Sequence, residues 1–180
     1  MIIAYNKVIG TLVLRHEDGE VVALIKDVII HPDTGRIEGF WARPLTLPIK
    51  NAVIQSDTIL EWKKNIYIRH EEEIAEPEDI IKISEILSRN TLFIGNQVKN
   101  EAQEVLGTVY DLDFDTSKLY LRNLYVQKSF LGFKYGQRVF NYDNIIKILP
   151  EYILVKDIKD KKVKAEEPAL IKNKQPLLDV

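Results

Sequence analysis

Val21-Val22-Ala23-Leu24-Ile25-Lys26-Asp27-Val28-Ile29-Ile30, closed by His31-Pro32-Asp33-Thr34-Gly35 and resumed at Arg36-Ile37, is the stretch that decides the fold. A run of β-branched and aliphatic side chains reads as a strand, and the turn formers after it send the chain back into a second strand. The same text recurs about 84 residues later, so the chain is written twice. Glu104-Val105-Leu106-Gly107-Thr108-Val109-Tyr110-Asp111-Leu112-Asp113-Phe114 matches the first run, and Asp115-Thr116-Ser117-Lys118-Leu119 matches its turn. Upstream, Val8-Ile9-Gly10 is answered by Phe93-Ile94-Gly95. Downstream, Ser56-Asp57-Thr58-Ile59-Leu60 is answered by Tyr142-Asp143-Asn144-Ile145-Ile146, and Asn65-Ile66-Tyr67-Ile68 by Glu151-Tyr152-Ile153-Leu154.

Alternation places Leu106, Thr108, Tyr110, Leu112 and Phe114 on one face of the second run, and Val22, Leu24, Lys26, Val28 and Ile30 on one face of the first. The faces agree except at Lys26 and Tyr110, whose polar tips are expected at a barrel rim. Each unit continues with strands over Ile37 to Trp41 or Leu119 to Val126, near Val53 or Val139, and around Ile59 and Ile66. The expected fold is therefore all-β, with two tandem small antiparallel barrels over 1–75 and 91–158, since closure removes exposed edges. Between them, 76–90 carries Pro77 and acids early, apolar residues at 80, 83, 86 and 87, and Arg89-Asn90 at its end, which reads as a short helical linker. A last strand over 80–83 followed by one helical turn fits the same residues, because the isoleucines there lower helix propensity. The polar, Pro-punctuated segment 159–180 reads as a flexible tail.

Charge is nearly balanced, 25 basic against 27 acidic residues, which removes the usual electrostatic argument for sequence-independent nucleic-acid binding. The chain has no cysteine, so disulfides, thiolate metal sites and cysteine nucleophiles are excluded. Met1 to Lys7 lacks a basic segment leading into a long apolar one, and no apolar stretch approaches the roughly 20 residues a bilayer span requires. The expectation is a soluble cytoplasmic protein.

Ile25-Lys26-Asp27-Val28-Ile29-Ile30 with Asp33-Thr34-Gly35 and Asp57-Thr58-Ile59, and Val109-Tyr110-Asp111-Leu112-Asp113-Phe114 with Asp115-Thr116-Ser117 and Asp143-Asn144-Ile145, resemble the PRC-barrel. That domain is found in the H subunit of photosynthetic reaction centres and in the C-terminal half of the ribosome maturation factor RimM. The resemblance covers residues 5 to 156 as two copies. It implies an adaptor barrel without chemistry of its own, binding a protein partner, with an RNA- or ribosome-associated assembly factor as the alternative.

The residues offer little for catalysis. His16, His31 and His70 show no ligand spacing, and neither a phosphate-binding loop nor a nucleophile elbow is present. No catalytic, cofactor-binding or metal-binding residue is therefore assigned. Asp27 and Asp111 occupy one position in two copies, which puts them in different barrels rather than face to face. They are expected to accept hydrogen bonds from turn or strand-end amides and hold the hairpins. A small-molecule-binding barrel, the third reading, requires a concave pocket with convergent polar groups and perturbed titratable residues.

For a partner, Ser129-Phe130-Leu131-Gly132-Phe133-Lys134-Tyr135-Gly136-Gln137-Arg138 stands out as a loop where the first copy has Pro44-Leu45-Thr46-Leu47-Pro48. Phe130, Leu131, Phe133, Tyr135 and Arg138 are the candidate contacts, since aromatic and arginine anchors dominate binding surfaces. Against this stands a reading in which Phe130 and Phe133 fold back to plug a barrel mouth. In the tail, Lys159, Lys161, Lys162 and Lys164 form a basic cluster suited to RNA or anionic lipid.

Overall fold

The computed structural model describes residues 1–130 and 133–157. The expected tail over 159–180, with its basic cluster, lies outside the described residues. Strands account for 52% of the structure, and few helices are present, so this is a β protein whose sheets curl into a half-barrel.

In chain order the elements are β1 (Ile2–Ala4), a single helical turn α1 (Tyr5–Val8), β2 (Leu12–Arg15), β3 (Val21–Ile30), β4 (Ile37–Pro44), β5 (Ala52–Gln55), β6 (Ile59–Trp62), β7 (Ile66–Ile68) and β8 (Ile74–Ala75). They are followed by α2 (Ile81–Ser88), β9 (Gln97–Lys99), β10 (Val105–Asp115), β11 (Tyr120–Phe130), β12 (Phe133–Asn141), β13 (Ile145–Ile148) and β14 (Tyr152–Val155). Strand order is β6-β7-β2-β3-β4-β5-β8 in the first sheet and β12-β11-β10-β9-β14-β13 in the second. The first strand crosses over: β1 pairs with β10, Ile2 opposite Asp115 and Ala4 opposite Asp113, beyond the stretch of β10 that β9 occupies.

Both long strands are broken in the same way. The register of β3 on β4 steps from Ile25↔Ala42 to Asp27↔Trp41, and that of β10 on β11 from Val109↔Val126 to Asp111↔Tyr125. Lys26 and Tyr110 are thus the extra residues of β-bulges, without a partner opposite them, and a bulge bends the strand and raises its twist. The single-face alternation expected for these runs therefore fails midway. Ile25 and Val109 fill the core, whereas Leu24 is only partly buried and Thr108 is exposed. Lys26 and Tyr110 are exposed at these bulges.

The turn before each sheet is fixed to the strand just ahead of its bulge. Gly10 N–H donates to Ile25 O at 2.8 Å and Gly95 N–H to Val109 O at 2.9 Å, with Thr11 O and Asn96 O accepting from the same two residues. The glycines sit at φ +84° and +82°, where a side chain costs roughly 1–2 kcal/mol.

One apolar core runs through both sheets, from Val13, Ile25, Phe40 and Ile66 to Val98, Leu112, Phe114 and Leu124. Val8, fully buried on α1, belongs to it, and α1 touches both β3 and β10. The hairpin ends also join: Ile37 N–H donates to Leu119 O and Leu121 N–H to Gly35 O, each at 2.8 Å. Arg89 closes a two-bonded ion pair with Asp33 at 2.6 and 2.9 Å, and Tyr142 Oη donates to Pro32 O at 3.1 Å.

Between the sheets, Pro77–Asp79 forms a 3-10 turn and α2 follows, ending where Asn90 takes a left-handed conformation, φ +49°. Ile83 and Ile86 press against Ile29 and Val53, so α2 covers the outer face of the first sheet. This is a second, smaller core.

Candidate functional site

The segment expected to be a partner-binding loop is the end of a two-stranded arm. Past Val126↔Arg138 and a further bulge, β11 and β12 stay paired through Lys128↔Tyr135, Ser129↔Lys134 and Phe130↔Phe133. The ladder thus runs through much of the segment expected to be a loop, with Val126, Phe133 and Tyr135 as its strand formers. Leu131, with Gly132, lies outside the described residues. Phe133 is 77% exposed and Tyr135 52%, so Phe133 plugs no barrel mouth. Arg138 is half-buried and engaged with a neighbour.

Two properties distinguish this arm. From Tyr120 to Asn141 it carries Arg122, Lys128, Lys134 and Arg138 and no Asp or Glu. In addition, β12 ends its sheet, and among the described residues no strand pairs with its outer side. The first sheet is finished differently. There β8 pairs with β5, placing Val53 opposite Ala75, and α2 covers the face, so Val53 is fully buried. In the second sheet Val139, which pairs with Tyr125 as Val53 pairs with Trp41, is 42% exposed.

The face around Val139 is polar. Asp113, buried, accepts from Asn123 N at 3.1 Å, from Asn123 Nδ2 at 2.9 and 3.1 Å, and from Tyr125 Oη at 2.8 Å. The residue pattern Asp-Leu-Asp over 111–113 carries a signal for this network, but Asn123 and Tyr125 become its partners only through the register of β11.

Asp27 and Asp111 lie within strands beside the bulges, not at turns. Asp111 Oδ1 accepts from Leu112 N at 2.9 Å, and Asp27 Oδ1 from Val28 N at 2.7 Å. Each carboxylate thus satisfies the backbone amide of the residue that follows it. Asp27 Oδ1 also accepts from Tyr5 Oη at 2.8 Å. Burial first, then that bond, then the charges of Asp27 and Asp111 raise the Tyr5 phenol far above its ordinary range. The two carboxylates expected in separate barrels therefore act on one phenol, because α1 lies between β3 and β10. Tyr5 lies outside the matched motifs of the two copies, and nothing in the sequence pattern singles it out.

Around this pair opens a cleft of about 240 Å³, bounded by β3, the end of α2, the 90–94 segment and β10. Trp41, Leu87, Phe93 and Leu112 supply apolar walls, and Tyr5 and Asp27 the polar end. Among the described residues no cluster of three His, Cys, Asp or Glu side chains could hold a metal ion. His31 Nδ1 accepts from Asp33 N at 3.2 Å within its turn. No helix among the described residues is long and apolar enough to cross a membrane.

Tyrosine titration tests this packing. Burial, Asp113 and Asp111 push Tyr125 up to about 12, and burial with Asp33 and Tyr120 pushes Tyr142 up to about 12. Tyr5 and Tyr110 are also raised. A phenol raised in the fold above its unfolded value of about 10 keeps its proton longer in the native state, so its stabilising contribution is complete below pH about 10 and is lost as pH climbs through the folded value. Tyrosinate absorbance of the native protein should show four of the eight tyrosines ionising late, and a denaturant titration should return them to the ordinary range. A native curve indistinguishable from the denatured one contradicts the burial described.

No protein-family model matches the chain, and no curated protein matches it.

Proposed function

We propose that this chain is a cytoplasmic, non-enzymatic adaptor made of two PRC-barrel-like units, about 1–75 and 91–158, joined through 76–90, and that it holds a protein partner on the β11–β12 arm. The observation that carries this reading is the edge of β12, which no strand among the described residues covers, beside exposed Phe133 and Tyr135. An edge strand offers unpaired N–H and C=O groups that an added strand satisfies, while neighbouring side chains set the choice of partner. Lys128 and Lys134, near the tip of an arm whose own sequence has no Asp or Glu, favour an extended acidic segment. The recurrence of the bulge, its carboxylate and the glycine turn in both sheets supports the duplicated architecture.

A photo-crosslinking residue in place of Phe133, used in the native cell, tests this. The expected adduct is one polypeptide whose cross-linked peptide is acidic and extended, lost on Lys128→Glu/Lys134→Glu. Adducts to RNA or ribosomal proteins would instead favour the ribosome-associated role, which uses the same cations but has no need of the open edge. Adducts only to this chain's own sequence would mean self-association.

A further inference from the structure

The cleft between the two sheets has a chemistry independent of the arm. Its walls combine Trp41, Leu87, Phe93 and Leu112 with one formally charged side chain, Asp27. Both hydrogen bonds to Asp27, from Tyr5 Oη and Val28 N, go to Oδ1. Among the described residues Oδ2 accepts none, yet it is not among the side-chain atoms sealed from solvent without a partner. Neither Arg89, at the end of α2, nor the adjacent Lys26 compensates the carboxylate. Arg89 is held by Asp33, Lys26 is exposed on its bulge, and no ion pair reaches Asp27 among the described residues. Asp111 adds to the negative potential at the Tyr5 end.

We propose that this cleft binds a small organic cation: a primary ammonium group on Asp27 Oδ2, with a short aromatic or aliphatic body against Trp41 and Phe93. The sign follows from the walls, since an anion would meet one carboxylate facing it and a second nearby. A part-buried carboxylate without a counter-ion gains most from a ligand that supplies one. Aromatic walls suit an ammonium, which is drawn to ring faces as well as to the carboxylate. The size follows from the volume: 240 Å³ lies below the range of drug-sized sites, so the occupant has on the order of ten heavy atoms. Tyr5 orients the carboxylate by holding Oδ1, which leaves Oδ2 directed to the ligand.

The probe is phenethylammonium, titrated into the full chain while the Val28 amide and the Trp41 indole are followed by NMR, with 2-phenylethanol and 3-phenylpropionate as neutral and anionic counterparts. The expected result is a saturable shift of both signals below about 10 mM, with the counterparts weaker by about tenfold or silent. Asp27→Asn should lose about tenfold in affinity with the remaining amide spectrum unchanged. Because that variant also alters the bulge bond to Val28, Thr91→Trp, which fills the cleft from its rim, serves as a second blocker that leaves Asp27 intact. Equal binding of 2-phenylethanol, undiminished binding by either variant, or no saturable shift would overturn the proposal.

Discussion

Produced separately, residues 1–90 and 91–180 will not fold. Neither half is expected to give dispersed amide signals or a cooperative thermal transition, whereas the intact chain should melt in one step. The reason lies in what each half would lack. The core is continuous across both sheets, β1 sits on β10 although it opens the first half, and Val8 is buried between β3 and β10. Each core side chain returned to water costs about 1.5–3 kcal/mol, against a total stability of roughly 5–15 kcal/mol for a domain of ordinary size. Exposure of four or five such residues is enough to unfold either half. A half that shows its own sharp transition and native-like dispersion would mean that the shared core contributes little.

Gly107→Ala is expected to destabilise the protein by about 3 kcal/mol or more, read as a drop in the urea midpoint at unchanged slope. Gly107 lies at φ +144°, and a Cβ placed there would stand 2.5 Å from Gln127 O and 2.7 Å from Gln127 C. Those atoms belong to the backbone of β11, where β10 and β11 are hydrogen-bonded, so the neighbour has no side-chain freedom with which to yield. Gly10→Ala is the matched control. It too sits at positive φ, but nothing lies within 4 Å of its added Cβ, so it should lose only about 1–2 kcal/mol for the left-handed backbone. Equal losses would show that backbone conformation, rather than crowding by Gln127, sets the cost at Gly107.

The strands were legible because their signal is local. A β-branched run ended by His31-Pro32-Asp33-Thr34-Gly35 folds into β3, a turn and β4, and the later pairs around 59 and 66 and around 145 and 152 also form strands. What the sequence withheld depends on the backbone or on distance along the chain. A bulge is an extra residue in a ladder and has no composition of its own, so alternation carried the wrong face through Lys26 and Tyr110. The pairing of β1 with β10 joins residues too far apart for any periodicity to reveal. Tyr5 acquires its partner the same way. The arm was misread for a more ordinary reason, since two glycines among aromatics suggest a loop, yet the ladder persists through Lys128↔Tyr135 with Gly136 absorbed at φ +60°.

The bulges have a further consequence for how such a protein can vary. A residue opposite a partner is constrained by that partner, whereas the extra residue of a bulge is answerable mainly to solvent. One strand can therefore carry an ammonium at Lys26 while the other carries a phenol at Tyr110, whose ring lies 6.2 Å from that of Tyr125, with Asp27 and Asp111 next to them in the same backbone role. Adjacent positions thus differ in mutational freedom: the carboxylate is tied to the fold, and its neighbour is where two otherwise matching strands can acquire different surfaces without refolding either.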